Sequence, residues 1–458
     1  MRGRIGPACA AHKVQCCLGL FLRLCLVAVT ALAAFAQSAD DEYRVYTAHP
    51  RLFLRPQRLR LLQRERPRQS LRWRQFEMLV AGKITFPEPG FALALYYAVS
   101  GDAEVGRQAV AWALRPEADI HQTALVYDWC QELLTPTQNA ELSAKLRKAI
   151  ASKPNDSLAA RRDRIFAAIA LDADGHPEEP ALREAVEGWW RGRFAPGLER
   201  GNRLKLDDMY ALFEILHAVR DNLSIDLRQS AADWFKHAAE YEVAANYPAP
   251  FVAAENEYRV PVWPGEGEPD LTRASLARAA GLSTVAYDSN AVESSYLQGW
   301  LIQDRFLMRT PFGIPYEFLW ANPYQPGLSF HHLPPDFHDP KSGTLFLRSS
   351  WDEDALWFGL VDGEAQWFED GRIVVLSGAG GKTTRSLGMV AVAKASGPGR
   401  METEGEALFV IGLKPRTSYD VEVDDEEMRE LETDAAGTLE IRVALARKFG
   451  VRFREAAK

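Results

Sequence analysis

The chain reads as an α+β multidomain protein: an N-terminal barrel (toroid) of α-helix pairs followed by an antiparallel β-sandwich. Three observations predict this. Apolar residues recur at helical spacing from Arg55 to about Met308, roughly ten helices joined mostly by short turns. From Pro311 the pattern changes to short β-rich runs bounded by Gly, Pro or Asp. The length, 458 residues, exceeds what one core normally holds and favours two domains. The expected bounds are 1–36 for a signal peptide, 49–310 for the helical barrel and 311–458 for the sandwich.

The N-terminus has the composition of a targeting segment. Arg2, Arg4, Lys13 and Arg23 carry its charge, no acidic residue precedes Asp40, Leu24 to Ala36 is apolar, and Ala34-Phe35-Ala36 fits the small-x-small cleavage rule. The expectation is export to the periplasm or medium, with no stable membrane insertion after cleavage. The apolar run from Cys16 to Leu22 leaves an uncleaved anchor as the alternative. Loss of the leader removes four basic and no acidic residues, which moves the formal charge from −8 to −12. That balance argues against a nucleic-acid partner, whose phosphates call for clustered Lys and Arg. Four of the five cysteines lie in the leader. Only Cys130 remains, so neither an intrachain disulfide nor a cysteine zinc site is expected.

Taken in order, His49-Pro50-Arg51-Leu52 is an apolar opening segment, and Arg55-Pro56 starts a basic helix that stops near Pro67. Leu71 to Val80 is a second helix, and Lys83 to Gly90 a loop rich in Pro and Gly. Leu93, Tyr96, Tyr97 and Val99 mark the next helix, which turns at Ser100-Gly101-Asp102. Val105 to Leu114, Ile120 to Leu134 and the helix opened by Thr135-Pro136 follow, the last with Leu142, Leu146 and Ile150 on one face. Arg164 to Leu171, Ala181 to Trp190, Leu206 to Val219 and Ser230 to Ala245 continue the series. No fixed repeat period appears, which favours a closed barrel over a solenoid. Helix resumes from Asn290 through Trp300, breaks at Pro311, Gly313 and Pro315, and gives way to strands. These are Thr344 to Leu347, Leu356 to Leu360, Ile373 to Leu376, Met389 to Val392, Leu408 to Ile411, Tyr419 to Val423 and Leu439 to Val443. The stretch from Tyr287 to Trp351 is thus a seam between layers, a common place for a cleft.

Phe91-Ala-Leu-Ala-Leu-Tyr-Tyr-Ala-Val-Ser-Gly-Asp102, then Tyr127-Asp128-Trp129, then Leu134-Thr-Pro-Thr-Gln138, together with His49-Pro-Arg-Leu, resemble the helical domain of heparinase II/III-like and alginate-lyase-like polysaccharide lyases. The resemblance spans most of residues 49 to 360. It implies β-elimination at a uronic acid, with an acidic polysaccharide or oligosaccharide as partner. A Tyr or His would act as base or acid, and Asn, Arg or His would neutralise the sugar carboxylate. No cofactor is expected, because the reaction itself needs no metal.

On that resemblance Tyr296, within Glu293-Ser294-Ser295-Tyr296, is the first choice for acid/base, against a core Tyr whose hydroxyl is satisfied. His332 is the expected neutraliser, and Asn155 stands where the family has its asparagine, with no histidine after it. Glu293, Trp300, Trp320 and Arg348 are the expected substrate-binding residues. His331, His332, Asp336, His338 and Asp339 read as a metal or acid/base cluster, or as a polar linking loop, and no metal is assigned to them. Arg161 and Arg162 read as a solvated helix face or as a bidentate grip on a carboxylate. Ser377-Gly378-Ala-Gly380-Gly381-Lys382-Thr383 imitates a phosphate loop but reads as a hairpin. Asp424-Asp425-Glu426-Glu427 reads as a solvated turn. A glycan-binding protein without chemistry, and a hydrolase using Glu293 and Asp304, are the competing readings.

Overall fold

The structure, a computed structural model, describes residues 43–152, 157–202, 204–249, 260–262, 271–303, 310–376 and 384–456. The expected leader, Asn155, Asp304 and the Ser377–Thr383 hairpin lie outside them. The account below concerns the unit that begins at Arg44.

Six helices close an inner ring: α3 (Pro89–Ser100), α5 (Ile120–Trp129), α7 (Leu158–Leu171), α10 (Leu206–Leu223), α12 (Leu271–Tyr287) and α14 (Gly313–Trp320). Each packs on the next, and α14 returns to α3. Inner helices must be apolar nearly all round. Accordingly His121 to Trp129 of α5 and Ile165 to Leu171 of α7 are buried without a break. Outer helices show one apolar stripe each. α4 (Ala103–Ala113) covers α3 and α5, and α6 (Pro136–Ala151) covers α5 and α7. On α6 only Leu142, Ser143, Leu146 and Ile150 are buried, the stripe its spacing predicts. α11 (Ala232–Ala244) and α13 (Val292–Gln303) flank α12, while α1 (Pro56–Glu65) and α2 (Leu71–Ala81) lean on α3 and α14. A continuous helical run, α8 (Glu179–Arg183), a π-helical segment Glu184–Phe194 and α9 (Ala195–Glu199), packs against α7. Caps set the starts. Asp119 accepts from the Gln122 N–H, and Thr135 with Gln138 forms a capping box.

The motifs that carry the family resemblance are one another's partners. The Asp128 carboxylate accepts the backbone N–H of Arg51 at 2.8 Å and of Leu52 at 2.7 Å, and pairs with His49 Nδ1. The Trp129 indole donates to the Leu52 carbonyl at 2.8 Å. His49-Pro-Arg-Leu is therefore tied to the inner ring by Tyr127-Asp128-Trp129, and both are fold signatures.

Helix continues beyond residue 310 to Trp320. Pro315 falls in the first turn of α14, where a missing N–H costs nothing. A strap from Ala321 to Ser329 then crosses α13. Gln298 donates to the carbonyls of Asn322 and Gln325, and the Leu328 N–H donates to Ser295 O at 2.8 Å. A Cβ on Gly299 would sit 1.8 Å from the Leu328 carbonyl oxygen.

Eleven strands follow. β1 (Asp336–Asp339), β2 (Thr344–Arg348), β3 (Trp357–Val361), β4 (Glu364–Glu369) and β5 (Arg372–Val375) form an antiparallel meander. β6 (Thr384–Leu387), β7 (Val390–Lys394), β8 (Gly399–Ile411), β9 (Ser418–Val423), β10 (Glu427–Glu432) and β11 (Leu439–Glu455) make a second sheet ordered β10-β9-β11-β8-β7-β6, with β7–β8 its one parallel pairing. Leu345, Leu347, Phe358 and Trp367 of the first sheet pack against Val390, Val392, Phe409 and Ile411 of the second. The other face of the first sheet rests on the end of α11. Arg348 donates to the carbonyl of Asn246 at 3.0 Å, Trp357 to that of Ala244 at 3.3 Å, and Tyr247 OH to Gln366 at 2.9 Å. Helices followed by a sandwich is the expected class. β1, β4, β6, β10, the first half of β8 and the second half of β11 are added to the expected strands; their charged and polar content hid them.

One imidazolium bolts the two sheets together. His338 of β1 donates from Nε2 to Asp434 at 2.9 Å and from Nδ1 to Glu440 of β11 at 2.6 Å. Glu440 and Asp336 in turn hold Arg442. Burial opposes the charge on His338, but the two carboxylates win and raise it from 6.5 to about 9. Burial likewise opposes the Glu440 charge, and His338 and Arg442 override it, lowering that carboxyl to about 2.

Two outcomes follow for stability. Gly299→Ala forces the strap off α13 and should cost about 1–3 kcal/mol. Thermal unfolding reads this against Gly397→Ala, a position where an added Cβ meets nothing. The His338 contribution is complete below pH 6.5 and lost as pH rises through about 9. That of Glu440 is complete above pH 4.5 and lost as pH falls through about 2. Denaturant titrations across pH should show the wild-type plateau between those inner limits, and His338→Ala should flatten the alkaline decline while lowering stability by about 3 kcal/mol.

Candidate functional site

An outer helix returns the chain between successive inner ones, so the inner helices run the same way and their first turns gather at one end of the ring. That end collects side chains that an apolar ring otherwise excludes. Glu88 precedes α3, His121 lies in the first turn of α5, Arg162 in the second of α7, Tyr210 in the second turn and Glu214 midway along α10, and Tyr316 in the first turn of α14.

These groups bond to one another. Glu214 is a bridge: Oε1 lies 3.0 Å from His121 Nε2, and Oε2 accepts from Arg162 Nη1 at 2.8 Å. Arg162 also donates from Nη2 to Asp163 at 2.9 Å. The Tyr316 hydroxyl donates to Glu88. The Tyr316 ring lies between Phe91, stacked at 4.8 Å, and Tyr210, edge-on at 5.0 Å. His121, Tyr210, Glu214 and Tyr316 are buried, while Glu88, Arg162 and Asp163 reach the surface.

The electrostatics sort the charges. Burial alone would neutralise Glu214, but His121 and Arg162 keep its carboxyl below the usual value. Burial and Arg162 oppose the His121 charge, and Glu214 with Glu88 overcomes them, so the imidazole is held above its usual value. Arg162 is held firmly charged by Glu214 and Asp163 against its burial. Glu88 goes the other way. Burial raises its carboxyl, and His121 and the Tyr316 hydrogen bond only partly offset this. Burial, reinforced by neighbouring carboxylates, raises the Tyr210 and Tyr316 phenols. The ring end therefore holds a fixed guanidinium, an imidazole shifted toward its charged form, two neutral phenols and one carboxyl shifted toward neutrality. Such a set suits proton transfer beside developing negative charge.

The sequence-predicted residues fall elsewhere. Tyr296 is half-buried on α13, an outer helix, and His332 is exposed in the 3-10 turn Phe330–His332. Neither belongs to the ring-end cluster. Glu293 is exposed at the start of α13, and its charge is felt at Glu240 of α11. Trp300 is buried on α13. Trp320 is buried too. It donates to the Tyr210 hydroxyl at 2.8 Å and packs between His217 and Arg58, so it supports the cluster from beneath and offers no sugar platform. Arg348 caps the end of α11 and lies 3.9 Å over the Trp351 ring, a fastener and not a ligand grip. Of the His331–Asp339 group, His338 spends both nitrogens on the sheet bolt, and among the described residues no three His, Cys, Asp or Glu side chains are arranged to hold a metal ion. Arg161 and Arg162 do not form a solvated face. Arg161 is buried over Trp189, and Arg162 grips two carboxylates.

Sequence reasoning missed Glu88, His121, Glu214 and Tyr316. Glu88 and Tyr316 stand in segments that read as breaks, although Pro89 after Glu88 is a helix-start signal. Glu214 is one of several acidic residues on α10, and nothing local sets it apart.

A second concavity, about 890 Å³, lies between α11 and the strands. Trp234, His237, Glu240 and Tyr241 line its helical wall, and Asp336, His338 and Arg442 are on its strand wall. Tyr296, His332, Glu293, Trp300, Trp320 and Arg348 do not line it, whereas Asp336, His338 and Asp339 of the expected His331–Asp339 cluster do.

No protein-family profile matches the chain, and no curated protein sequence matches it. Among solved structures it is similar to a glycoside hydrolase, at 10% identity and a TM-score of 0.30, covering 81% of this chain and 71% of that one. It is also similar to a mutant of the heparan sulfate lyase HepC from Pedobacter heparinus, at 12% identity and a TM-score of 0.37, covering 80% of this chain and 75% of that one.

Proposed function

We propose that the ring end is the reaction centre of a polysaccharide-processing protein, and that it cleaves a uronate-containing chain by β-elimination. The observation that supports this most is the grouping of Glu88, whose carboxyl burial raises, with the charged Arg162 and with His121, shifted toward its charged form, at the gathered N-terminal ends of the inner helices. Helix N-termini add partial positive charge at that end. Elimination needs those parts. Glu88 removes the C5 proton, the electron pair left behind forms the C4–C5 double bond, and the C4–O4 bond breaks. The protonated Glu88 then returns its proton to O4. His121 and Arg162 hold the sugar carboxylate while charge spreads onto it, and the Tyr316 hydroxyl orients Glu88. This assigns to Glu88 and Arg162 the roles that the family resemblance suggested for Tyr296 and His332.

The unsaturated product absorbs in the ultraviolet, so a screen of uronate polymers reads the reaction directly. Absorbance should grow on at least one polymer, and Glu88→Gln should reduce its rate by about 10²–10⁴-fold with the thermal midpoint nearly unchanged. New reducing ends without absorbance would replace elimination with hydrolysis. Binding without either would make the protein a glycan binder. Glu214→Gln tests the scaffold. It takes the carboxylate from buried His121 and leaves Arg162 with Asp163 alone, and should cost about 3 kcal/mol in denaturant unfolding.

A further inference from the structure

The cavity beside α11 shares none of its lining with the ring-end cluster. On α11, Trp234, His237, Ala238 and Tyr241 recur at helical spacing and face it, as does Glu240. Across the gap stand β1, the β3–β4 turn and the start of β11. The volume, about 890 Å³, falls in the range of roughly 300–1,000 Å³ typical of small-molecule sites.

Several of the charges on these walls are paired. Lys341 bridges Asp233 at 2.6 Å and Glu199 at 3.3 Å. Arg442 holds Asp336 and Glu440, and His338 holds Glu440 and Asp434. A charged ligand would have to break such a pair. An uncharged one would meet carboxylate oxygens with lone pairs to spare, each able to accept a hydroxyl. Burial raises the Glu240 carboxyl, against His237 and with Asp336 and Glu293, and Glu240 lies 3.8 Å from His237 on the same helical wall. Trp234 is half-buried, its ring set edge-on to Phe235 at 4.8 Å, and it offers the cavity a flat apolar surface. An aromatic face flanked by hydrogen-bonding groups, several of its ions already paired, is the chemistry that recognises a sugar ring by stacking and hydroxyl bonding.

We infer that this cavity is a binding site for an uncharged saccharide, with the Trp234 indole as platform and Glu240 and His237 as hydrogen-bonding groups. It does not depend on elimination at the ring end, since its ligand carries no carboxylate and its readout is binding.

The test is calorimetric titration, with tryptophan fluorescence alongside, of the full chain. The probes are gluco-, manno-, galacto- and N-acetylglucosamino-oligosaccharides, with an oligogalacturonate for comparison. At least one uncharged oligosaccharide should bind and perturb the fluorescence, and Trp234→Ala should weaken it about tenfold or more, in line with a lost stacking contact. Glu240→Gln should weaken it less. Circular dichroism checks that each variant folds, and if Trp234→Ala does not, Glu240→Ala decides. Silence from every uncharged probe at millimolar concentration, binding of the uronate alone, or affinity unmoved by both substitutions would overturn the inference.

Discussion

Closing six helices into a ring is the constraint on which the rest of the structure depends. Each inner helix is enclosed on all sides, so any polar side chain it carries must find a partner inside the ring or cost several kcal/mol. Four buried polar residues at the ring end, His121, Tyr210, Glu214 and Tyr316, are met by partners from other helices. The outer helices face no such demand, and their charges pair locally or meet water. Arg107 with Glu104 and Arg191 with Glu187 are pairs of this kind, worth little each.

The same constraint explains what was legible. Burial all round gives an inner helix a continuous apolar run, and partial burial gives an outer helix a stripe. Both are visible in one sequence, so the helical series and the switch to strands could be read without coordinates. The motifs His49-Pro-Arg-Leu and Tyr127-Asp128-Trp129 were legible for a different reason. They are two halves of one contact, in which a buried carboxylate satisfies two backbone N–H groups of the opening segment. Such a contact marks an architecture. It says nothing of what the architecture does, which is why it led to a fold more securely than to a site.

The site was less legible because it is assembled across the ring. Glu88 and Tyr316 meet from 228 positions apart, and His121 and Glu214 from 93. No window of sequence contains two of the bonded partners except Arg162 and Asp163. The seam from Tyr287 to Trp351 did contain one member, Tyr316, yet Tyr296 drew notice because Glu293-Ser294-Ser295-Tyr296 resembles a motif of the lyase family. Position on the ring separates the two. Tyr316 lies on an inner helix with its hydroxyl on a carboxylate, and Tyr296 lies on an outer one.

The sheets solve their own version of the burial problem, and the solution bears on the second concavity. A sandwich is held by apolar contact across its middle, which fixes separation but not register at the margin. His338 supplies a directional bond there, and its two carboxylates come from the opposite sheet and its adjoining turn. Once His338, Glu440, Arg442 and Asp336 have satisfied each other, the wall they form is polar yet nearly without uncompensated charge. The sequence showed two of these groups, Asp336 and His338, inside a His331–Asp339 cluster that read as a metal or acid/base site or as a polar linking loop. The geometry makes them a closed circuit instead, and a closed circuit beside an indole selects for hydroxyls over ions.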